Sequence, residues 1–129
     1  MEIIQWNKNI SVNNSCIDSQ HKRLIELTNN LILQSNAKAN SSIINESLSE
    51  LLKYAREHFR DEEKLLKEHN YPKLEAHRKS HEKFIYKIAM FCKDVIDSKD
   101  TVTEEMIKFL VDWLLKHTSV EDQDYKNYI

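Results

Sequence analysis

The sequence predicts an all-α fold: an antiparallel up-down-up-down four-helix bundle with an extended N-terminal arm. Three observations carry that expectation. The 129 residues include no glycine and a single proline, Pro72, so the chain is poor in the residues that end helices or build tight hairpins. Apolar residues recur at alternating steps of three and four, the spacing of a helical seam. The breaks between seams are short and polar, which makes neighbouring helices antiparallel.

Residues 1–17 mix Trp6, Ile10, Val12 and Ile17 with Asn and Ser, a pattern suited to an arm lying over a bundle with Trp6 as its anchor. A first helix is expected over about 18–34, with Asp18 as N-cap and Leu24, Leu27, Leu31 and His21 on one face. The polar stretch 35–41 reads as a loop, and Ser41 or Ser42 as the next cap. The second helix, about 42–68, carries Ile44, Leu48, Leu51, Ala55, His58, Glu62 and Leu65 on its seam. After Asn70-Tyr71-Pro72, a third helix over about 73–96 carries Leu74, His77, His81, Phe84, Ile88, Phe91 and Val95. Asp97-Ser98-Lys99-Asp100 breaks that run. Thr103 is expected to cap a fourth helix, about 103–118, with Met106, Leu110, Trp113 and His117 on its seam. One domain spanning 1–129 is the expectation for this length.

Composition closes several function classes. Phosphate-cradling loops and dinucleotide fingerprints need glycine where the backbone meets the ligand. The net charge is −2 and the charges are scattered, which argues against nucleic acid and anionic membranes as partners. The apolar runs, Phe109-Leu110-Val111 among them, are too short to cross a bilayer, and Met1-Glu2-Ile3-Ile4 lacks a basic leader. The expected address is cytoplasmic, and no protein partner is identifiable. Cys16 and Cys92 have no metal-binding spacing and are expected to be reduced thiols, on the order of 25 Å apart along the bundle axis.

The polar residues on the seams carry the functional reading. His58…Glu62 and His77…His81 are four-residue spacings, so each pair presents two ligand atoms on one helix face. Across an antiparallel hairpin, residues lie level when they are equally far from the loop centre. His58 with His81 and Glu62 with His77 are level about the Asn70-Tyr71-Pro72 break. His21 with His58 is level about the polar loop before the second helix, and His77/His81 with His117 about the 97–100 break. Five histidines and a glutamate are therefore expected in one layer. A single histidine on an apolar face is ordinarily a core residue bonded to a neighbour, but six such groups together would leave many buried polar atoms unsatisfied, at about 1–3 kcal/mol each. A metal takes up their lone pairs. His69 shares the seam phase but lies about 10 Å further along the helix, near the turn, and is expected to end it.

Five imidazoles exceed the needs of one ion with an open position, so two ions are expected, joined by bridging anions. Glu62 is central to the seam and suited to bridge. Glu121, Asp122 and Asp124 are the acids near His117. Asp122 would lie about 140° off the His117 face in a continuous α-helix, reaching the layer only if the helix ends or bends near Thr118-Ser119.

The segments Asp18-Ser19-Gln20-His21, His58-Phe59-Arg60-Asp61-Glu62, His77-Arg78-Lys79-Ser80-His81 and His117 with Asp122 resemble the hemerythrin family, in its single-domain bacterial form. Trp6, Tyr71-Pro72 and Trp113-Leu114 share the resemblance, which covers nearly the whole chain. It implies a non-haem di-iron centre with an oxo or hydroxo bridge. Glu62 and Asp122 would bridge both irons, His77, His81 and His117 would complete one, and His21 and His58 would bind the other, leaving an open position for dioxygen. Phe59 and Leu114 are candidates for an apolar pocket around that position. Imidazole-rich ligation contrasts with the carboxylate-rich di-iron bundles, whose Glu-x-x-His motifs are absent. The function so implied is reversible dioxygen binding for transport, storage or delivery, with no catalytic residues. The alternatives are a di-iron oxidase, peroxidase or nitric-oxide-handling enzyme, and an oxygen or redox sensor acting through a separate partner. Zinc remains a rival occupant of a histidine-rich site.

Overall fold

A computed structural model of the chain describes residues 2–96 and 100–129, with the side chains of 96 and 100–102 outside that description. Four long helices form the body: α1 (Ser15–Asn36), α2 (Ser41–Glu68), α3 (Leu74–Ile96) and α4 (Asp100–Lys116). α4 runs on through a π-helical turn (His117–Glu121) into a short α5 (Asp122–Tyr125). α1 packs on α2 and α4, and α3 packs on the same two. Their order around the ring follows the sequence, giving the expected four-helix bundle. No strand occurs among the described residues, and no helix among them is long and apolar enough to cross a membrane.

The arm is tied to the bundle by specific polar contacts. Ile4 N–H donates to Asn29 Oδ1 at 2.7 Å, and Asn29 Nδ2 donates back to the Ile4 carbonyl at 2.9 Å. Lys22 Nζ stands 4.3 Å from the Trp6 ring centre, a cation–π contact that fixes the expected anchor. A short 3₁₀ turn, Lys8–Ile10, then leads to α1.

Three helix starts differ from the sequence expectation, each by a few residues. Asn14, not Asp18, caps α1, its side chain accepting from Ile17 N–H at 3.0 Å. Asp18 sits in the first turn and holds the arm, accepting from Ser11 Oγ at 2.6 Å and Val12 N–H at 2.9 Å. Asn40, not Ser41 or Ser42, caps α2 by accepting from Ile43 N–H at 3.0 Å. Asparagine competes as well as serine or aspartate for this role. α4 begins at Asp100, which places Thr103 inside its first turn instead of at the cap. No glycine or proline lies between them to stop the helix extending backward. Asp97, Ser98 and Lys99 of the expected break lie outside the described residues.

With no glycine available, Asn13, Lys38 and Asn70 take the left-handed conformation, at φ 57°, 55° and 55°. Two of the three are asparagines, the non-glycine residue that tolerates this region best. Asn70 closes α2, with Tyr71 N–H returning to the Leu66 carbonyl at 3.0 Å. His69 is the C-cap of α2 and its Nδ1 bonds the Leu65 carbonyl at 2.9 Å, as a helix-end histidine should.

The apolar interior falls into two parts. The larger includes Leu31, Leu48, Leu51, Phe59, Phe84, Ile88, Met106, Leu110 and Leu114. The smaller, beside the α2–α3 turn, comprises Val12, Ile17, Leu66, Tyr71 and Tyr125. Phe59 belongs to the first and Leu66 to the second, so Glu62 on α2 marks a polar layer between them. Cys16 is exposed, Cys92 is half-buried, and both are unpaired.

Candidate metal centre

Seven polar side chains fill that layer, and all are buried: His21, His58, Glu62, His77, His81, His117 and Asp122. α1 supplies His21, α2 supplies His58 and Glu62, and α3 supplies His77 and His81. His117 and Asp122 sit at the two ends of the junction below α4.

The π-helical turn solves the placement of Asp122. The regular α-helix gives way after Lys116 to a wider turn, with Asp122 N–H donating to the His117 carbonyl five residues back. One residue is absorbed into the turn, so the fifth residue stands about where the fourth would in an α-helix. Asp122 then shares the His117 face.

All five imidazoles turn Nε2 toward the carboxylate pair, and the two oxygens of each carboxylate divide them. Glu62 Oε1 lies against His77 Nε2, 3.0 Å from His81 Nε2 and 3.4 Å from His117 Nε2. Asp122 Oδ1 lies 3.1 Å from His77 Nε2 and 3.0 Å from His117 Nε2. On the other edge, Glu62 Oε2 is 3.2 Å from His58 Nε2 and 3.5 Å from His21 Nε2, and Asp122 Oδ2 is 3.0 Å from His21 Nε2. Two clusters of donor atoms result: Glu62 with His77, His81 and His117, and Glu62 with His21 and His58.

His77 and His81 are hydrogen-bonded to Glu62 Oε1, but for the other half of the set proximity does not amount to hydrogen bonding. His21 Nε2, His58 Nε2 and both Asp122 oxygens have no aligned hydrogen-bond partner although fully buried. Atoms about 3 Å apart that miss one another in direction have their lone pairs aimed at the space between them, which is the requirement for a shared cation. The donor set, five imidazoles and two carboxylates, suits first-row transition ions.

The field in the layer matches. Burial opposes charge on His21, but Asp122 and Glu62 outweigh it and raise the ring to about 9. The same contest raises His77 to about 10. His117 rises to about 9, with Asp122, Glu121 and Glu62 overcoming burial. At His58 burial prevails and lowers the value. Burial pushes Glu62 and Asp122 up, yet the surrounding histidines hold both carboxyls below the usual range. Protons on the rings offset the buried anions when no cation does.

A second set of side chains orients the rings through Nδ1. His58 Nδ1 bonds Gln20 Oε1 at 2.7 Å, and Gln20 Nε2 donates to Asp61 at 2.9 Å. His81 Nδ1 bonds Glu63 Oε2 at 2.9 Å, with Arg78 Nε on the other Glu63 oxygen at 2.9 Å. His117 Nδ1 bonds Glu121 Oε2 at 3.2 Å. Tyr125 donates its hydroxyl to Glu62 Oε2 at 3.1 Å. Phe59 stacks on His81 at 3.9 Å and 7°, and Trp113 on His117 at 4.4 Å and 14°. Such contacts fix ring orientation and tautomer, and a carboxylate on Nδ1 makes the imidazole a stronger donor.

Comparison with known proteins agrees with this geometry. The sequence model of the hemerythrin HHE cation binding domain matches residues 14–129. The chain belongs to the hemerythrin family. It is 29% identical to a bacteriohemerythrin of Stenotrophomonas maltophilia over 129 residues, covering 100% of this chain and 83% of that one. It is 32% identical over 121 residues to a Campylobacter jejuni bacteriohemerythrin, covering 94% and 91%. A myohemerythrin of Theromyzon tessulatum is 32% identical over 125 residues, covering 97% and 92%. A solved wild-type hemerythrin superposes with a TM-score of 0.84 at 26% identity, covering 98% of this chain and 97% of that one.

Within this hemerythrin-family bundle, the structure brings together all seven residues singled out from the sequence as metal-binding. Of the other acids near His117, Glu121 supports that ring from outside, and Asp124 accepts from the Tyr71 hydroxyl and pairs with Lys73 at 3.5 Å. Phe59 lies against the three-histidine edge. Leu114 is buried in the larger core one turn before His117. Gln20, Glu63 and Tyr125 were missed. A usable signal existed for two of them: Gln20 and Glu63, like Glu121, each stand beside a layer residue in sequence and support a ring on another turn or helix.

Proposed function

We propose that this hemerythrin-family chain holds two iron ions, bridged by Glu62, Asp122 and an oxo or hydroxo group, and that its main function is to bind dioxygen reversibly, with weak oxidase or peroxidase activity as a side reaction. The observation that supports this best is the unequal division of imidazoles between the carboxylate edges, three beside Glu62 Oε1 and Asp122 Oδ1 and two beside Glu62 Oε2 and Asp122 Oδ2. His77, His81 and His117 would saturate one ion, and His21 with His58 would leave the other a free position. An iron pair held by these seven residues would supply the electrons that dioxygen takes up on binding and gives back on release.

The remaining work falls to the chain. Five neutral donors and only two anions make the layer less anionic than the carboxylate-rich di-iron bundles, which suits holding a gas over splitting it. Tyr125 secures Glu62 on the two-histidine edge. Phe59 and Leu114 contribute to an apolar surround that keeps water and acid from the layer. The unpaired cysteines fit a cytoplasmic setting.

Elemental analysis and rapid mixing test the reading together. Near two irons per chain are expected, and the reduced protein should develop a visible band with dioxygen that vanishes when the gas is withdrawn, through repeated cycles. Immediate conversion to the diferric form would favour an oxidase or peroxidase instead.

A further inference from the structure

Between the metal layer and the α2–α3 turn lies a group of tyrosines to which dioxygen binding assigns only one hydrogen bond. Tyr71 is buried, its ring 6.4 Å from His77 and edge-on at 85°. Its hydroxyl donates to Asp124. Tyr128 follows, with its ring 5.1 Å from Tyr71, and it is 47% exposed. Tyr125 fills the angle, 5.5 Å from His77 and 6.1 Å from Tyr71. Rings in contact therefore lead from a layer histidine to solvent. Electron transfer falls off steeply with distance, and a series of contacts this short carries it faster than one long step.

The chemistry of Tyr71 adds a second argument. A phenol loses its proton when it loses an electron, so oxidation is easiest where an acceptor is already in place, and Asp124 is one. Tyr125 also has an acceptor, Glu62, but it is fully buried and, among the described residues, its ring contacts lead to the surface through Tyr71. Trp113, stacked on His117, has no such acceptor for its N–H among the described residues. Tyr86 is 69% exposed and makes no ring contact that leads to the layer among the described residues.

We propose that Tyr71 and Tyr128 form a relay that carries oxidising equivalents from the metal centre to the surface, where a small one-electron donor of the ascorbate class quenches them. The proposal rests on the di-iron reading for the source of the oxidant. With hydrogen peroxide and the diferric protein, the O–O bond of one peroxide breaks and two waters form. The two electrons required enter one at a time by way of the tyrosines, one ascorbate for each, and the two protons come from water. Tyr71 gives an electron inward through His77 and its phenolic proton to Asp124. It recovers the proton when an electron arrives from Tyr128, whose own proton goes to water. Ascorbate then supplies an electron and a proton to the Tyr128 oxyl, restoring the phenol.

Freeze-quench electron paramagnetic resonance of the iron-loaded protein after hydrogen peroxide tests this, with iron content and the visible spectrum read on the same samples. Wild type and Tyr86→Phe should show a tyrosyl signal that ascorbate abolishes. Tyr71→Phe should lose the signal. Tyr128→Phe, a surface change with little risk to folding, should keep a signal that ascorbate no longer removes, because the radical is then stranded on Tyr71. A loaded centre with no tyrosyl signal, a tryptophan signal in its place, or wild-type behaviour in Tyr128→Phe overturns the relay alone. A protein that takes up no iron pair overturns the di-iron reading and the relay with it.

Discussion

His117 and Asp122 are joined by a backbone hydrogen bond across five residues, and that bond sets both carboxylates of the junction to work on one ring. Glu121 reaches His117 Nδ1 at 3.2 Å while Asp122 Oδ1 reaches its Nε2 at 3.0 Å. In an unbroken α-helix adjacent residues diverge by about 100° and could not both flank the same imidazole. The wider turn makes room for both.

Asp122→Ala should therefore separate bridging from folding. The helix and the Glu121 contact remain, but one of two shared anions is gone, so iron content is expected to fall from about two to about one per chain, since five imidazoles and one carboxylate suffice for a single ion. Elemental analysis and far-ultraviolet circular dichroism on the same preparation measure this. Retention of the full iron pair would remove Asp122 from the bridging role.

Glu63→Gln addresses orientation. The amide can still accept from His81 Nδ1, but the negative charge behind that ring and the ion pair with Arg78 are lost. Metal affinity should weaken by roughly 10–100-fold with the fold intact. Competition against a chelator reads the change. An unaltered affinity would mean that packing under Phe59 alone holds the His81 ring.

The metal-free protein should have a pH optimum that the loaded protein lacks. His21, His77 and His117 are raised to about 9, 10 and 9, so the stability they confer is complete below the ordinary histidine value of 6.5 and is lost as pH rises through those values. Glu62 and Asp122 are lowered, so their contribution is complete above 4.5 and 3.8 and is lost as pH falls further. Resistance to urea should peak between 4.5 and 6.5, with His58, lowered by burial, favouring the upper end. Iron loading at pH 7 must displace the protons held on His21, His77 and His117. An indicator dye in weak buffer should report their release, and uptake without proton release would contradict the charge pairing in the layer.

The sequence carried the helices and the layer because both depend on period. Steps of three and four place side chains on a face, and loop midpoints place faces at a height, without reference to any particular contact. Helix starts were less legible: Asn14 and Asn40 compete on nearly equal terms with the neighbouring Ser and Asp residues. Asp122 was out of reach of periodic reasoning because a π-helical turn changes the period itself. It entered only through family resemblance. Tyr125 escaped for the same reason, lying beyond that change of phase. The Nδ1 partners stand beside layer residues in sequence, but which ring each supports depends on side-chain direction across helices, as with Gln20 of α1 reaching His58 of α2.

Lys38 offers a test far from the layer. It holds φ 55° in the α1–α2 loop, where a β-carbon crowds the backbone. Lys38→Gly should stabilise the protein by about 0.5–1 kcal/mol, the relief of strain exceeding the added freedom of the unfolded chain. Chemical unfolding gives the sign. A loss of stability would show that the lysine side chain contributes contacts worth more than the strain.

The spread of the layer over α1, α2, α3 and the α4–α5 junction has a topological consequence. A pair of ions held there would cross-link points as distant as His21 and Asp122, about 100 residues apart, much as a set of disulfides would, and the restriction on the unfolded chain grows with the span closed. Such a clasp can be opened by a chelator. Release of the metal would turn a knotted-down bundle into an ordinary marginal one, so the lifetime of the protein against proteases should follow its metal supply.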